Sequence, residues 1–183
     1  MQVFLKELTH KDYPQTLDPT LLLSKKQWEK LCHPVAEKDY IAVYAVGFEK
    51  ETIEFARQVA RKLNKKLLII RAYSKHYMSK ENKEYCGPDD FLSYIRYSDF
   101  VVTTSFHGTA FSIIFNKQFV CPVFNDNTRI NSLLTVVDLN ARLVRTPEEA
   151  LSLPSINYDN VDDLLEQERV VSRHFLEVAL SCN

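Results

Sequence analysis

The segment from Asp39 to Ile70 constrains the fold more than any other part of this 183-residue chain. Asp39-Tyr-Ile-Ala-Val-Tyr-Ala-Val46 is a short, dense apolar run of β-branched and aromatic residues, the pattern of a strand buried on both faces. Gly47 closes it. From Glu51 to Leu63, apolar residues recur at Ile53, Ala56, Val59, Ala60 and Leu63, one stripe of a helix. Lys66-Leu-Leu-Ile-Ile70 is the next strand. Strand, crossover helix and strand of this length make a β-α-β unit, which requires a parallel pair.

The alternation continues along the chain. Residues 2–8 read as a loose lead-in, and Ser24 to Leu31 as a short helix capped by Ser24, with Gln27 three residues on. The polar stretch from Ser74 to Tyr85 reads as a surface loop. Gly87-Pro88 opens a helix whose positive end suits Asp89 and Asp90, and whose inward residues are Phe91, Tyr94 and Ile95. Asp99 to Thr104 is a third strand, Ser105 to Thr109 a turn, and Thr109 to Phe115 an apolar helix. Gln118 to Phe124 is a fourth strand that Pro122 places near an edge or ends early. Helices follow over Thr128–Val137 and Asn157–Leu180. The second is capped by Asn160 and carries the stripe Val161, Leu164, Leu165, Val171, Phe175 and Val178. Strands alternating with helices predict a doubly wound parallel α/β sheet in one domain spanning residues 1–183.

Composition narrows the function. With 45% hydrophobic and 26% charged residues the chain is globular, not disordered. Lys and Arg number 23 against 24 Asp and Glu, so no basic excess points to nucleic acid, although a local anion site remains compatible with this balance. Cys32, Cys86, Cys121 and Cys182 form no C-x-x-C pair and read as reduced structural thiols. No Cys or His spacing suits zinc, so neither a metal nor a cofactor is expected. No apolar run reaches the roughly 20 residues of a membrane span. The start lacks the pattern of a signal peptide, which predicts a soluble intracellular protein or a soluble piece of one.

One strand end is chemically dense. Thr103-Thr104-Ser105-Phe106-His107-Gly108-Thr109 sits where a strand hands over to a helix. Free N–H groups at a helix start attract anions, and the hydroxyls of Thr104, Ser105 and Thr109 add donors. Gly108 permits close approach to the backbone. His107 adds a group able to hold or transfer a proton near neutral pH. The same residues also fit a capped helix with a buried, satisfied histidine. The Walker A, dinucleotide and nucleophile-elbow patterns are absent.

The run Ser98-Asp-Phe-Val-Val-Thr-Thr-Ser-Phe-His-Gly-Thr-Ala-Phe-Ser-Ile-Ile-Phe-Asn-Lys-Gln-Phe119 resembles the signature of the polysaccharide pyruvyl transferase family. Leu17-Asp-Pro-Thr-Leu-Leu-Leu23 with Trp28 resembles the start of that family's second domain. Arg129-Ile-Asn-Ser-Leu-Leu134 with Arg142 resembles its arginine and double-leucine stretch, and Ser172 to Leu180 its closing helix.

The resemblance implies transfer of a pyruvyl group from phosphoenolpyruvate to sugar hydroxyls of a cell-surface polysaccharide or its precursor. It implies a two-domain fold of the glycosyltransferase-B type, of which this chain is the second, Rossmann-like half. The first domain is expected to be a partner, and the half lacking it to self-associate and have little activity. The resemblance places the family's histidine at His107 and its donor-binding cation at Arg129. It implies that Thr104, Ser105, Gly108 and Thr109 hold one anion of the donor while Arg129 clamps the other. A bacterial setting, in the cytoplasm or at the inner face of the membrane, goes with this reading. A nucleotide-sugar glycosyltransferase domain and a non-catalytic binding domain are the alternatives.

Overall fold

The computed structural model describes residues 10, 15–71, 83–85, 87–125 and 127–181. The 2–8 lead-in, residues 74–82, Cys86 and Cys182 lie outside the described residues. The elements are α1 (Lys25–Glu29), β1 (Tyr40–Tyr44), α2 (Glu49–Leu63), β2 (Lys66–Arg71), β3 (Lys83–Tyr85), α3 (Pro88–Tyr97) and β4 (Phe100–Thr103). They continue with α4 (Phe106–Ile114), β5 (Phe119–Pro122), α5 (Thr128–Val136), β6 (Leu143–Val144), α6 (Pro147–Ser152) and α7 (Tyr158–Ser181). Short 3₁₀ turns occupy Pro19–Leu22 and Asn140–Arg142.

The strands form one sheet in the order β3-β2-β1-β4-β5-β6, and every pairing is parallel. This is the doubly wound, Rossmann-like arrangement, with its switch point between β1 and β4, where ligands bind outside the carboxyl ends of the strands.

Both faces of the sheet are covered, and this explains the continuous apolar strands. Tyr40, Ala42, Leu68, Ile70, Val101, Phe119 and Cys121 pack to one side, against α3, α4, α5 and α7. Ile41, Val43, Ile69, Val102, Val120 and Val144 pack to the other, against Ile53, Phe55, Ala56 and Val59 of α2 and Ala150 of α6. Successive strand residues point to opposite faces, so each strand feeds both cores.

Local chemistry sets the helix ends. Ser24 and Gln27 close the expected capping box on α1: the Ser24 N–H donates to Gln27 Oε1 at 2.8 Å and the Ser24 hydroxyl accepts from the Gln27 N–H. Glu49 and Glu51 occupy the first turn of α2, Arg61 and Lys62 its last, and Asn64 ends it in the left-handed region. At the start of α3 the Gly87 N–H donates to Asp90 at 2.9 Å.

Several boundaries differ from the sequence reading. Lys83–Tyr85 is a strand, so Phe100–Thr103 is the fourth and not the third. A three-residue edge strand has no apolar run to betray it. Pro122 ends β5 early, two residues before Phe124, as expected, and β5 lies one strand in from the edge, between β4 and β6. Helix α4 begins at Phe106 and not at Thr109. Asn160 lies inside α7, and the cap is Asn157, whose side-chain oxygen accepts from the Asp159 N–H at 3.0 Å. The stripe on α7 is buried only at its start: Val161 and Leu165 are core, whereas Val171, Phe175 and Val178 are exposed.

Candidate functional site

The site is built by the handover from β4 to α4. Thr103, fully buried, donates its hydroxyl to the Tyr44 carbonyl at 2.6 Å and accepts from the Ser105 N–H at 3.1 Å. It thereby ties the end of β4 to the end of β1 at the switch point. Thr104 faces the β1–α2 loop, where its hydroxyl accepts from the Val46 N–H at 3.2 Å. Ser105 is the N-cap of α4; its hydroxyl accepts from the Gly108 N–H at 3.4 Å, and its carbonyl accepts from the Thr109 N–H. The N–H groups of Phe106 and His107 open the helix, where no intrahelical acceptor can reach them.

His107 stands in the first turn of α4 with its side chain exposed, so the buried, satisfied histidine is not what forms. Its ring meets Phe106 edge to face, 5.5 Å between centroids. Arg129, in the first turn of α5, lays its guanidinium over the same Phe106 ring, 4.2 Å from the centroid. Its Nη2 also reaches Asp18 Oδ2 at 3.4 Å. Phe106 is thus a shared platform between a histidine and an arginine that are 22 residues apart in sequence. Phe106 is half-buried and packs its other side against the core.

The remaining predicted residues serve the fold. Thr109 is fully buried; its hydroxyl donates to the Ser105 carbonyl at 3.0 Å and lies 3.2 Å from Cys121 Sγ. It faces the core and not solvent. Gly108 is also buried, and a Cβ there would meet Thr103 Oγ1 at 2.2 Å. Its glycine is required by the packing of α4 on β4, not by an approaching ligand. Arg142 is buried and donates to the Pro154 carbonyl, and burial pulls its guanidinium below the ordinary range. Asp18 caps the Pro19–Leu22 turn, its side chain accepting from the Thr20 N–H at 3.1 Å. It also turns its second oxygen to Arg129.

Alongside lies a cleft of about 790 Å³ at the carboxyl ends of the strands. Its walls are the β1–α2 loop, the end of β5, the start of α5 and the end of β6, and Thr104 borders it on the side of the site. Gly47 and Phe48 both adopt left-handed backbone, φ 70° and 51°. For a phenylalanine that conformation is rare and costly. Cys121 forms part of the floor, and burial pushes its thiol up to about 12, which removes it as a nucleophile. His33, Asp89 and Asp90 gather at the start of α3.

Fold and site together define a Rossmann-like, doubly wound α/β domain with an exposed histidine and an arginine at its topological switch point. Residues 1–122 match the family model of polysaccharide pyruvyl transferase. That is well over half of the sequence, and the chain belongs to this family, whose name describes a transferase acting on polysaccharides. The match includes His107 and stops short of Arg129. Among solved structures the chain is similar to the glycotransferase of kitacinnamycin, with 16% identity and a TM-score of 0.50. The similarity covers 76% of this chain and 41% of that one, and at this identity it shows the fold alone. No curated protein matches. Among the described residues no helix is long and apolar enough to cross a membrane.

Proposed function

We propose that this chain supplies the donor-binding half of an enzyme that transfers a pyruvyl group from phosphoenolpyruvate to sugar hydroxyls of a polysaccharide or its precursor. The observation that carries the reading is the Phe106 platform with His107 on one flank and Arg129 on another, at an open helix N-terminus. Phosphoenolpyruvate carries a carboxylate and a phosphate within a few bonds of each other. The free N–H groups of Phe106 and His107 suit one anion. The guanidinium of Arg129 suits the other bidentately. Thr104 borders both site and cleft.

Ketal formation protonates the methylene carbon of the donor, adds a sugar oxygen at the enol carbon and releases phosphate when the second oxygen adds. The first sugar hydroxyl must lose its proton, and so must the second. An exposed imidazole beside the bound anion is suited to carry one of these protons or to stabilise the departing phosphate. No metal or cofactor is needed for this sequence of steps.

Beyond Ser172 every described residue of α7 is exposed on all sides, the apolar Phe175, Leu176, Val178 and Leu180 among them, which supports docking of a further domain. Without that domain the reading expects self-association through this apolar end and little turnover. It places the reaction in the cytoplasm of a bacterium, at or near the inner face of the membrane, where polysaccharide precursors are assembled.

Calorimetric titration tests the donor assignment. Phosphoenolpyruvate should bind weakly and saturably, and Arg129→Ala should weaken it by about tenfold or more, the loss of one charge-assisted contact. Binding of a nucleotide-sugar instead, unaffected by Arg129→Ala, would give the site to a glycosyl donor.

A further inference from the structure

We infer that the 790 Å³ cleft beside the His107–Arg129 site is an acceptor subsite, shaped for a sugar ring that carries a phosphoryl group, with Arg145 as its anion clamp. The inference rests on the pyruvyl-transfer reading, because it assigns the second substrate of that reaction.

Three features of the cleft carry it. Its floor and wall are apolar: Ile130, Leu143 and the rings of Phe48 and Phe124, which lie 5.8 Å apart and tilted by 35°. Apart from Arg145, its polar lining is made of neutral groups, Thr104, Asn125, Asn127 and Asn131. Arg145 is the one charged residue among the described residues that line it, and none there is acidic. A sugar ring presents an apolar C–H face and a fringe of hydroxyls, so aromatic rings and amides answer both of its surfaces. A single guanidinium adds a planar, bidentate partner for a phosphate.

Arg145 is held ready for this. Its backbone N–H donates to Glu149 Oε2 at 2.6 Å, and Glu149 with Thr146 forms the capping box of α6. That contact fixes the end of β6 while the Arg145 guanidinium has no ion pair or hydrogen bond among the described residues. A free guanidinium on an anchored backbone, at the rim of a cleft whose described lining holds no acidic side chain, suits an anion. Arg129 differs, since it is engaged with Asp18 and Phe106. Through Thr104 the cleft opens beside the donor site, so an acceptor hydroxyl and the donor carbon can meet between them.

The test follows backbone amide signals of the chain during titration with glucose 1-phosphate, free glucose, inorganic phosphate, glucuronate and uridine diphosphate. Glucose 1-phosphate should shift Val46–Phe48, Asn131 and Arg145 saturably, and more tightly than glucose or phosphate alone. Arg145→Gln should weaken it about tenfold or more while leaving phosphoenolpyruvate binding unchanged. His107→Ala should leave glucose 1-phosphate binding intact. Glucuronate binding as tightly would replace the phosphoryl group by a carboxylate and overturn that part of the assignment. Uridine diphosphate alone binding as tightly would overturn the acceptor assignment in favour of a nucleotide. So would absence of saturable shifts in the cleft, or indifference to Arg145→Gln in a variant whose other amide signals match the wild type. Loss of phosphoenolpyruvate binding alone, with the sugar phosphate still bound, would sink the donor reading and not the cleft.

Discussion

At the scale of single residues, the β4–α4 turn shows how a run of residue types conceals which side chains face outward and which pack beneath the turn. Gly108 and Thr109 stand in a run whose residue types suit an anion site, yet both are packed into the core. Spacing cannot separate a hydroxyl that faces the ligand from one that closes the turn below it. Here the helix starts at Phe106, three residues before the expected start, and this turns Thr109 inward. Gly108 offers a test with an unusual sign. In a helix interior, replacing Gly by Ala ordinarily stabilises by roughly 0.5–1 kcal/mol. At this site the added Cβ would lie 2.2 Å from Thr103 Oγ1. The Thr103 hydroxyl is itself committed to Tyr44 and Ser105, so it cannot swing away cheaply. Gly108→Ala should therefore destabilise by about 1–3 kcal/mol, read from the midpoint of denaturant unfolding. A more stable variant would show that the β4–α4 contact is looser than described.

At the scale of elements, α7 fixes the segment that brings Asp18 to Arg129. Arg169, buried, donates from Nε to the Leu21 carbonyl at 2.7 Å and from Nη2 to the Leu23 carbonyl at 3.0 Å. Arg173 reaches the Leu22 carbonyl at 2.7 Å, and Ser172 accepts from the Leu17 N–H at 2.9 Å. Trp28 pins the same turn, donating its indole N–H to the Thr20 carbonyl and meeting Phe111 edge to face. Arg169→Ala removes three charge-assisted bonds, one to the Glu166 carboxylate and two to the Leu21 and Leu23 carbonyls, which are left unmet. We expect about 2–3 kcal/mol of lost stability by chemical denaturation, whereas the exposed Arg173→Ala should cost much less. Equal effects would contradict the buried clamp. The partners of Arg169, Ser172 and Arg173 are not legible in the sequence, because those contacts join residues about 150 positions apart.

The start of α3 carries a pH-dependent contact. His33 Nε2 lies 2.8 Å from Asp90 Oδ1. The Pro34 carbonyl and then the Asp90 carboxylate raise the imidazole above its ordinary value of 6.5. A raised folded-state value means that folding favours the protonated ring. The stabilisation is complete below the ordinary value and is lost as pH rises through the raised one. The difference in melting temperature between the wild type and His33→Gln should thus shrink from pH 5.5 to pH 8.5. A difference that grows toward high pH would contradict the ion pair.

At the scale of the whole molecule, the strand–helix alternation carried most of the architecture. Tyr40–Tyr44, Glu49–Leu63 and Lys66–Arg71 are where their apolar periods put them, since a doubly covered sheet imposes those periods directly. Elements that escaped the reading are short: Lys83–Tyr85, Leu143–Val144 and Pro147–Ser152 lack the length for any period to emerge. The site was legible to the extent that one strand end was rich in chemistry. Arg145 belongs to no motif, and Asn131 stands in the Arg129–Leu134 stretch with no role of its own there; both became visible as cleft lining only when the sheet order brought β6 and α5 beside the switch point.

The most direct test of the donor site is a map of where phosphoenolpyruvate binds, taken from amide and side-chain signals of the isotopically labelled chain. Saturable shifts should concentrate at Ser105, Phe106, His107 and the Arg129 guanidinium, and should fade in Arg129→Ala while the remaining spectrum keeps its dispersion. No saturable shift at the β4–α4 turn, or shifts centred elsewhere on the sheet, would contradict the assignment of that turn to the pyruvyl donor.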